Sequence, residues 1–257
     1  AVRERLGLNQ PVYIQYIKYI LGLLQGDLGT SLRTSRPVLT EVASRYWNTM
    51  ALTIASLIWS TIVGVILGVW SGKNRGKWQD FTGMTLAVSG ISLPNFWIGF
   101  LLIMLFSVTL RWFPTTGAGS WRNLLLPAIT LGTSIAAIIA RFTRSSIVEV
   151  MKEDYIRTAR AKGLKEKTVI WAHAFRNSMI SVVTVVGLQF GFLLGGSVVT
   201  EAVFAYPGLG QLLIESVNYR DYPAIQSLIL IFSLQFIVIN LIVDILYAAL
   251  NPEIKLS

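Results

Sequence analysis

Long uncharged apolar runs recur along the chain at lengths that match a bilayer. Ala51 to Trp70 carries no charge, Phe81 to Leu110 none over a longer stretch, and Asn177 to Thr200 and Tyr222 to Val243 are equally clean. Asn123 to Ala140 is shorter and lies at the lower limit. A helix crossing a hydrocarbon core roughly 30 Å thick needs about 20 apolar residues, so these runs predict five membrane-spanning helices. They are too long for core strands and lack the alternation of a membrane barrel. The predicted fold class is all-α, a polytopic membrane helix bundle.

The first 42 residues read differently. Val12, Tyr13, Tyr16, Ile17, Tyr19, Ile20, Leu23 and Leu24 recur at roughly helical spacing, with Gln15, Lys18, Gln25 and Asp27 between or just after them. That pattern predicts a short amphipathic helix, ending at Gly26-Asp27-Leu28-Gly29 and lying on the outer surface or against neighbouring helices. The chain is therefore divided into an extracytoplasmic amphipathic segment, 1–42, and a transmembrane domain, 43–257, with a cytoplasmic loop at 149–177. Ala1 stands without an initiator methionine, signal sequence or earlier span, which leads to the expectation that a segment precedes it.

Composition agrees with a lipid solvent: 53% of residues are hydrophobic, 14% are charged, and the mean hydropathy is +0.60. A net charge of +9 raises nucleic acid as a partner, but the basic residues flank spans instead of covering a soluble face. Lys73, Arg75 and Lys77, then nine basic residues between Arg141 and Arg176, then Lys255, lie on the side of the C-terminus. The positive-inside rule makes that side cytoplasmic and puts the N-terminus of this chain outside. Six basic residues in the first 45 oppose this vote without reversing it, since long translocated stretches obey the rule poorly. With no cysteine and the single histidine His173, neither a disulfide framework nor a polyhistidine metal site is available. A phosphate-binding glycine loop, a GxSxG elbow and an HExxH pair are all absent, so chemistry by this chain alone is not expected.

The loop from Glu149 to Asn177 is the most informative segment. It reads as a short helix from Asp154 to Lys162, a break at Gly163, and a second helix from Lys165 to Phe175. Tyr155, Ala159 and Lys162 share one face by spacing, and the small Thr158, Ala159 and Ala161 would let the first helix lie shallowly in a groove on another protein. A basic loop drawn to anionic lipid accounts for the charge alone; the helix, glycine, helix order is what favours docking.

These residues resemble a known family. Tyr155-Ile156-Arg157-Thr158-Ala159-Arg160-Ala161-Lys162-Gly163-Leu164, followed by His173-Ala174-Phe175-Arg176-Asn177, is similar to the EAA loop in membrane subunits of binding-protein-dependent ABC importers, nearest to the dipeptide, oligopeptide and nickel permeases. Leu6-Gly7-Leu8-Asn9-Gln10-Pro11, Gly26 to Ser31, Ser92-Leu93-Pro94-Asn95-Phe96-Trp97, Glu201 to Gly210, Asn240 to Asp244 and Asn251-Pro252 agree in the same order. Two departures stand out. Arg157, Thr158 and Ala159 occupy the places of the general Glu-Ala-Ala, so no glutamate role is carried over. Family members also have another span ahead of the Leu6 motif, making the five predicted spans the last five of six.

The resemblance implies a MetI-like transmembrane domain of a type I ABC importer. It implies as partners a second, related but different permease subunit, two ATPase subunits that hold ATP and Mg, an external solute-binding protein and the lipid bilayer of a bacterial or archaeal cytoplasmic membrane. No cofactor, metal or nucleic acid is expected on this chain. Coupling to the ATPase would fall to Tyr155, Arg157, Thr158, Ala159, Ala161, Lys162, Gly163, Leu164, His173, Arg176 and Asn177; for His173 a plain polar loop position is the simpler reading.

Polar groups within apolar spans supply pathway candidates, because they are costly unless they face a partner or water: Asn48, Ser92, Asn95, Gln189, Ser197, Gln226, Gln235 and Asn240. Helix packing competes, above all for serine. Pro94 sits mid-span, where it predicts a kink and a gate element. Asp244 is expected to pair near the inner end of the last span. The segment through Glu201, Phe204, Tyr206, Pro207 and Gly208 leaves the membrane on the outer side. Its aromatics are candidate interface anchors; the resemblance instead implies a loop that dips back to close the outer face, with Glu201 as a binding-protein contact. A secondary transporter or channel would call for inverted repeats or intramembrane ions, and an intramembrane enzyme for a reactive cluster; none is evident. Short peptides are the expected solute, with glutathione and nickel or its chelates as alternatives, naked nickel being disfavoured by the shortage of imidazole and thiol ligands.

Overall fold

A computed structural model describes residues 10–250 of the chain. Leu6 to Asn9, Asn251-Pro252, Arg3, Arg5 and Lys255 lie outside the described residues. The described residues fold into helices: α1 (Val12–Leu24), α2 (Val38–Lys73), α3 (Trp78–Ser92), α4 (Asn95–Leu102, continued by a π-helical stretch Ile103–Thr109) and α5 (Trp121–Val150). Then come α6 (Asp154–Ala161), α7 (Glu166–Thr168, continued by a π-helical stretch Val169–Phe175), α8 (Arg176–Val203), α9 (Leu209–Asn218) and α10 (Tyr222–Leu250).

Four helices, α2, α5, α8 and α10, are long and apolar enough to cross a membrane, and α3 with α4 supplies a fifth crossing if that bent pair is one span. The expected kink at Pro94 is larger than a kink. Leu93 and Pro94 are extended, and the two helices meet at 102°. The cause is local: a proline pushes the preceding residue out of the helical region and has no N–H to continue the ladder. The single kinked crossing expected from Phe81 to Leu110 is thus two helices joined at a sharp bend. The first long helix, for its part, begins at Val38, ahead of residue 43, because Pro37 is well placed just before a helix and the residues that follow continue the apolar pattern.

The centre of the bundle is the seam between α2 and α5. Gly64, Gly68 and Gly72 repeat every four residues, so they line one face of α2. A methyl group on Gly64 would stand 2.7 Å from the Ala136 carbonyl, one on Gly68 2.7 Å from that of Ala140, and one on Gly72 2.9 Å from the Ile147 side chain. Higher on the same face, Thr53 and Ser56 are buried and return their hydroxyls to the Thr49 and Leu52 carbonyls at 2.9 and 2.7 Å. Such residues leave no unpaired polar group and let backbones approach, which is how helices associate where lipid removes the hydrophobic drive. A side-chain clamp ties α3 to α5: Asp80 accepts two bonds from the Arg144 guanidinium, at 2.6 and 2.7 Å, and one from the Gly76 N–H at 3.0 Å. Removing Arg144 would strand a buried carboxylate.

The end opposite the 149–177 loop carries a second layer. α1 buries no residue and leaves Val12, Tyr13, Tyr16 and Leu24 exposed. After turns at Gly26 and Gly29, both with positive φ, the chain crosses the top of α10, where Asp221 accepts from Ser31 Oγ at 2.5 Å and from Leu32 N at 3.1 Å. Arg33 and Arg45 share Glu215 of α9 at 3.1 and 3.5 Å. α10 itself is the least covered span, with 6% of its most apolar window buried.

Gly68→Val should weaken the α2–α5 seam by about 2 kcal/mol, the usual cost of overpacking, since backbone of α5 stands where the side chain would go. A lower unfolding midpoint for the detergent-solubilised protein, with Ile58→Val on the exposed face of α2 left unchanged, is the expected result; equal midpoints would show that the seam is looser than described.

Candidate functional site

Two clusters of the candidate residues are ordered by the fold, one at each end of the bundle. At the end of α5 the chain turns into α6, an arm of 8 residues. Asp154 lies in its first turn, where a carboxylate suits the helix dipole, and pairs with Arg157 at 3.0 Å on an exposed surface, which contributes little. Gly163 has φ +76°. It donates to Arg160 O at 2.9 Å while Leu164 N donates to Ala159 O at 3.3 Å, the paired bonds of a left-handed helix cap that favours glycine. Arg160 then reaches across the turn to Glu166 with a two-pronged bond, Nε at 3.2 Å and Nη2 at 2.8 Å. That bond holds the Glu166 carboxyl below its ordinary pKa. Its support of the turn is therefore full above the unfolded value and fades as pH falls through the lowered one.

The arm is seated on the bundle by its own apolar face. Ile156 at 0% exposure and Ala159 at 6% pack with Val69 of α2, Ile147 of α5, and Val169 and Ala174 of the π-helical stretch. This corrects the expected docking face: Ala159 does not share an outward surface with Tyr155 and Lys162 but points inward beside Ile156, because the apolar pair at this spacing has the α2–α5 base to bury against. Tyr155, Arg157, Thr158, Ala161, Lys162 and Leu164 remain exposed. Asn177, at the root of α8, donates to Tyr155 Oη at 2.8 Å and closes the base of the loop. Arg176 is exposed and His173 half-buried; the latter lies within the π-helical stretch, an irregularity that often marks functional positions.

At the opposite end the segment after α8 folds back over α2. Ala205 has φ +43°, a conformation that costs a residue with a side chain about 1 kcal/mol or more. Tyr206 N donates to Glu201 O at 2.8 Å across that turn. Pro207 O accepts from Asn48 Nδ2 at 2.7 Å. Glu201 is fully buried: one carboxylate oxygen accepts from Thr49 Oγ1 at 2.8 Å, the other from Gly210 N at 2.7 Å and Gln211 N at 3.1 Å. Thr49 Oγ1 in turn accepts from Leu209 N at 2.8 Å. The first three N–H groups of α9, free in any helix, are thus satisfied by an anion and a hydroxyl from two other helices. Gly208 and Gly210 fit because a side chain on either would collide, the first with Glu201 and Thr49 and the second with Val198.

Two expectations about this segment are overturned. Glu201 cannot present its charge to an external protein, since α9 covers it. Phe204 and Tyr206 are not interface anchors: both are buried with Leu52, Leu126 and Leu131 in the core. Burial, and secondarily the nearby Glu201, raises the Tyr206 phenol above its ordinary pKa.

The polar pathway candidates are not gathered into one site. Asn48 is the loop tether just described. Ser197 is buried and bonded to Leu194 O at 2.9 Å within its own helix, and Ser92 likewise returns its hydroxyl to Val88 O at 3.0 Å. These two serve helix packing and helix ends. Pro94 starts α4 at the break, with Asn95 half-buried beside it; Gln189 and Asn240 are half-buried and Gln226 and Asp244 exposed. Gln235 Nε2 lies 3.6 Å from Met50 Sδ, and its Oε1 is buried without a partner. Among the described residues no three His, Cys, Asp or Glu side chains could hold a metal. Sequence reasoning passed over Ile156, Thr49, the Asp80–Arg144 clamp and Asp221; of these only the acid at a span end, Asp80 or Asp221, offered a sequence signal.

Residues 64–256 match the family described as binding-protein-dependent transport system inner membrane component. The chain is 56% identical over 254 residues to the glutathione transport system permease protein GsiC of Salmonella paratyphi A, a match covering 99% of this chain and 83% of that protein. The same protein of Escherichia coli O6:H1 is 57% identical over 254 residues with the same coverage. Among solved structures, the fold is similar to the inward-facing MetNI methionine ABC transporter, with a TM-score of 0.70 at 19% identity over 82% of this chain and 96% of that one. An amino acid ABC transporter gives 0.65 at 14% identity over 82% of this chain and 94% of that one.

Glu201→Ala should unfasten the segment between α8 and α9. It leaves the Gly210 and Gln211 N–H groups and the Thr49 hydroxyl buried without the carboxylate, a loss of about 2 kcal/mol or more. Amide hydrogen exchange across 204–218 should rise at least tenfold while the loop 149–177 stays protected as before; unchanged exchange in 204–218 would refute the capping role.

Proposed function

The chain belongs to the family of binding-protein-dependent transport system inner membrane components, and from that premise we propose that this importer subunit carries glutathione or short peptides like it and is driven through its 149–177 loop. It is the membrane-spanning, MetI-like subunit of an ATP-driven importer, multi-pass in the cytoplasmic membrane, and works with an ATPase and a binding protein. Glutathione is itself a short peptide, so the names of relatives that match 99% of the chain at 56% identity narrow the solute within the class expected from the sequence. Nickel has no observation in its favour.

The observation that carries the coupling role is the seating of α6. Ile156 and Ala159 fasten the arm to α2, α5 and the root of α8, while Tyr155, Lys162 and the small Thr158 and Ala161 stay exposed. A helix held this way moves with its base, so an ATPase gripping the outer face would tilt α5 and α8 as rigid bodies. ATP and Mg would be held by two such ATPase subunits, with this chain contributing no catalysis. His173, Arg176 and Asn177 would act as the root about which the arm is set. The uncovered apolar surface of α10 is where lipid and a second, related but different permease subunit would lie. The loop would face the cytoplasm, with α1 and the segment up to residue 42 outside, as the basic residues around Arg141 to Arg176 favour. The solute would pass beside the break at Pro94, where Asn95 and, from α8, Gln189 remain the half-buried candidates.

Gly163→Asp provides the test of coupling. The site has open space but a positive φ, and the substitution places an acid at a helix C-terminus where the dipole disfavours it. The complex should assemble in the membrane at normal levels, while uptake of labelled glutathione in cells carrying the full transporter falls at least tenfold. Normal uptake would sink the coupling role. Wild-type uptake that short peptides compete for and glutathione does not would sink the solute alone. A cysteine at Ser35 labelled from outside, with one at Lys162 protected, is the expected orientation result.

A further inference from the structure

A cleft of about 700 Å³ opens between α2 and the π-helical stretch before α8. Its α2 wall is apolar, with Ile62, Val65 and Ile66 facing it, and Trp171 and Phe175 form the opposite wall near the loop. Ile62, Ile66 and Trp171 are each more than half exposed. At its inner end stand Lys73, in the last turn of α2, and Lys167, at the end of α7. Among the described residues neither lysine joins an ion pair, and no acid lines the cleft.

We propose that this cleft is a binding site for one anionic diacyl phospholipid, its phosphate between Lys73 and Lys167 and an acyl chain along α2. Three features select this occupant. Thr61, the farthest lining residue on α2, is twelve residues from Lys73, about 18 Å at the rise of a helix, and one leaflet of a core roughly 30 Å thick has about that depth. The two ammonium groups sit at one end only, so the site is amphipathic along its length in the same sense as a lipid. Trp171 and Trp70 line the lysine end, the level at which tryptophan prefers the membrane interface. Basic pockets between spans that meet acidic head groups follow the same electrostatic logic. Because one wall is α2 and the other is the stretch that roots the α6 arm, the lipid bridges a span to the coupling loop and stiffens the base on which that arm sits. The placement in the cytoplasmic leaflet rests on the orientation proposed above, whereas the assay below reads lipid retention whichever leaflet the cleft faces.

The test uses the whole transporter complex, stripped of lipid in detergent, titrated with phosphatidylglycerol or phosphatidylcholine and read by native mass spectrometry. Wild type should retain phosphatidylglycerol in preference. Lys73→Gln and Lys167→Gln should each lower that preference about fivefold, as expected for one basic residue near an anionic surface. Val65→Trp, which fills the cleft and leaves the lysines in place, should abolish retention of the tightly held lipid. Equal retention of the two lipids by wild type, or a preference untouched by both lysine variants, would overturn the site. So would a Val65→Trp complex that keeps its lipid but loses a partner subunit, since protein would then fill the cleft.

Discussion

The half of the molecule opposite the 149–177 loop depends on one buried carboxylate. Glu201, in the last turn of α8, is fully buried, and its two oxygens are satisfied by the Thr49 hydroxyl of α2 and by the Gly210 and Gln211 N–H groups of α9. A charged group in such a place is tolerated only when its bonds are complete, so the three helices are held in one mutual arrangement. Everything on that surface follows: Gly208 and Gly210 must lack side chains, Asn48 can reach Pro207, and Phe204 and Tyr206 turn into the core instead of out to lipid. α9 then presents Glu215 to Arg33 and Arg45, which positions the segment ahead of α2.

The end that carries the 149–177 loop is packed as one unit. The glycines of α2 bring it against α5 closely enough that the two helices behave as one body, and the Asp80–Arg144 clamp adds α3 to it. The α6 arm is seated at the foot of this body through Ile156, and the Gly163 cap with the Arg160–Glu166 bond sets its angle. Packed interfaces of this kind shift between discrete arrangements and do not deform smoothly. Under the proposed coupling role, a force on the exposed face of α6 would reach the spans through this packed base. A lipid lodged between α2 and the root of α8 would act on the same base, joining the state of the membrane to the state of the loop.

Between the two ends much of the apolar surface of the long helices is uncovered. α10 buries 6% of its most apolar window, and α8 buries 28%, so the surfaces that would line or flank a route for solute face outward from this single chain. A family whose members work as transporter components accounts for a half-built route without invoking a closed pore within one subunit.

Much of this was legible in the residues alone. Span number and approximate limits follow from uncharged length, because bilayer thickness sets a helix length that composition can satisfy or fail. The loop at Gly163 was legible because helix caps are local: a start at Asp154 and a glycine stop need no tertiary partner to be recognised. The break at Pro94 was also local, but its 102° bend was not, since how far two helices diverge after a proline depends on what each packs against. Ala159 and Glu201 show the limit most clearly. Spacing put Ala159 on a face with Tyr155, and an acid beside a loop suggests exposure; both turned inward because partners such as Val69 for one and Thr49 for the other lie far away in sequence. The sequence by itself determined what had to be in the membrane and where the chain had to turn. Only the tertiary structure decided which polar and small residues face one another, because that depends on distant helices meeting in space.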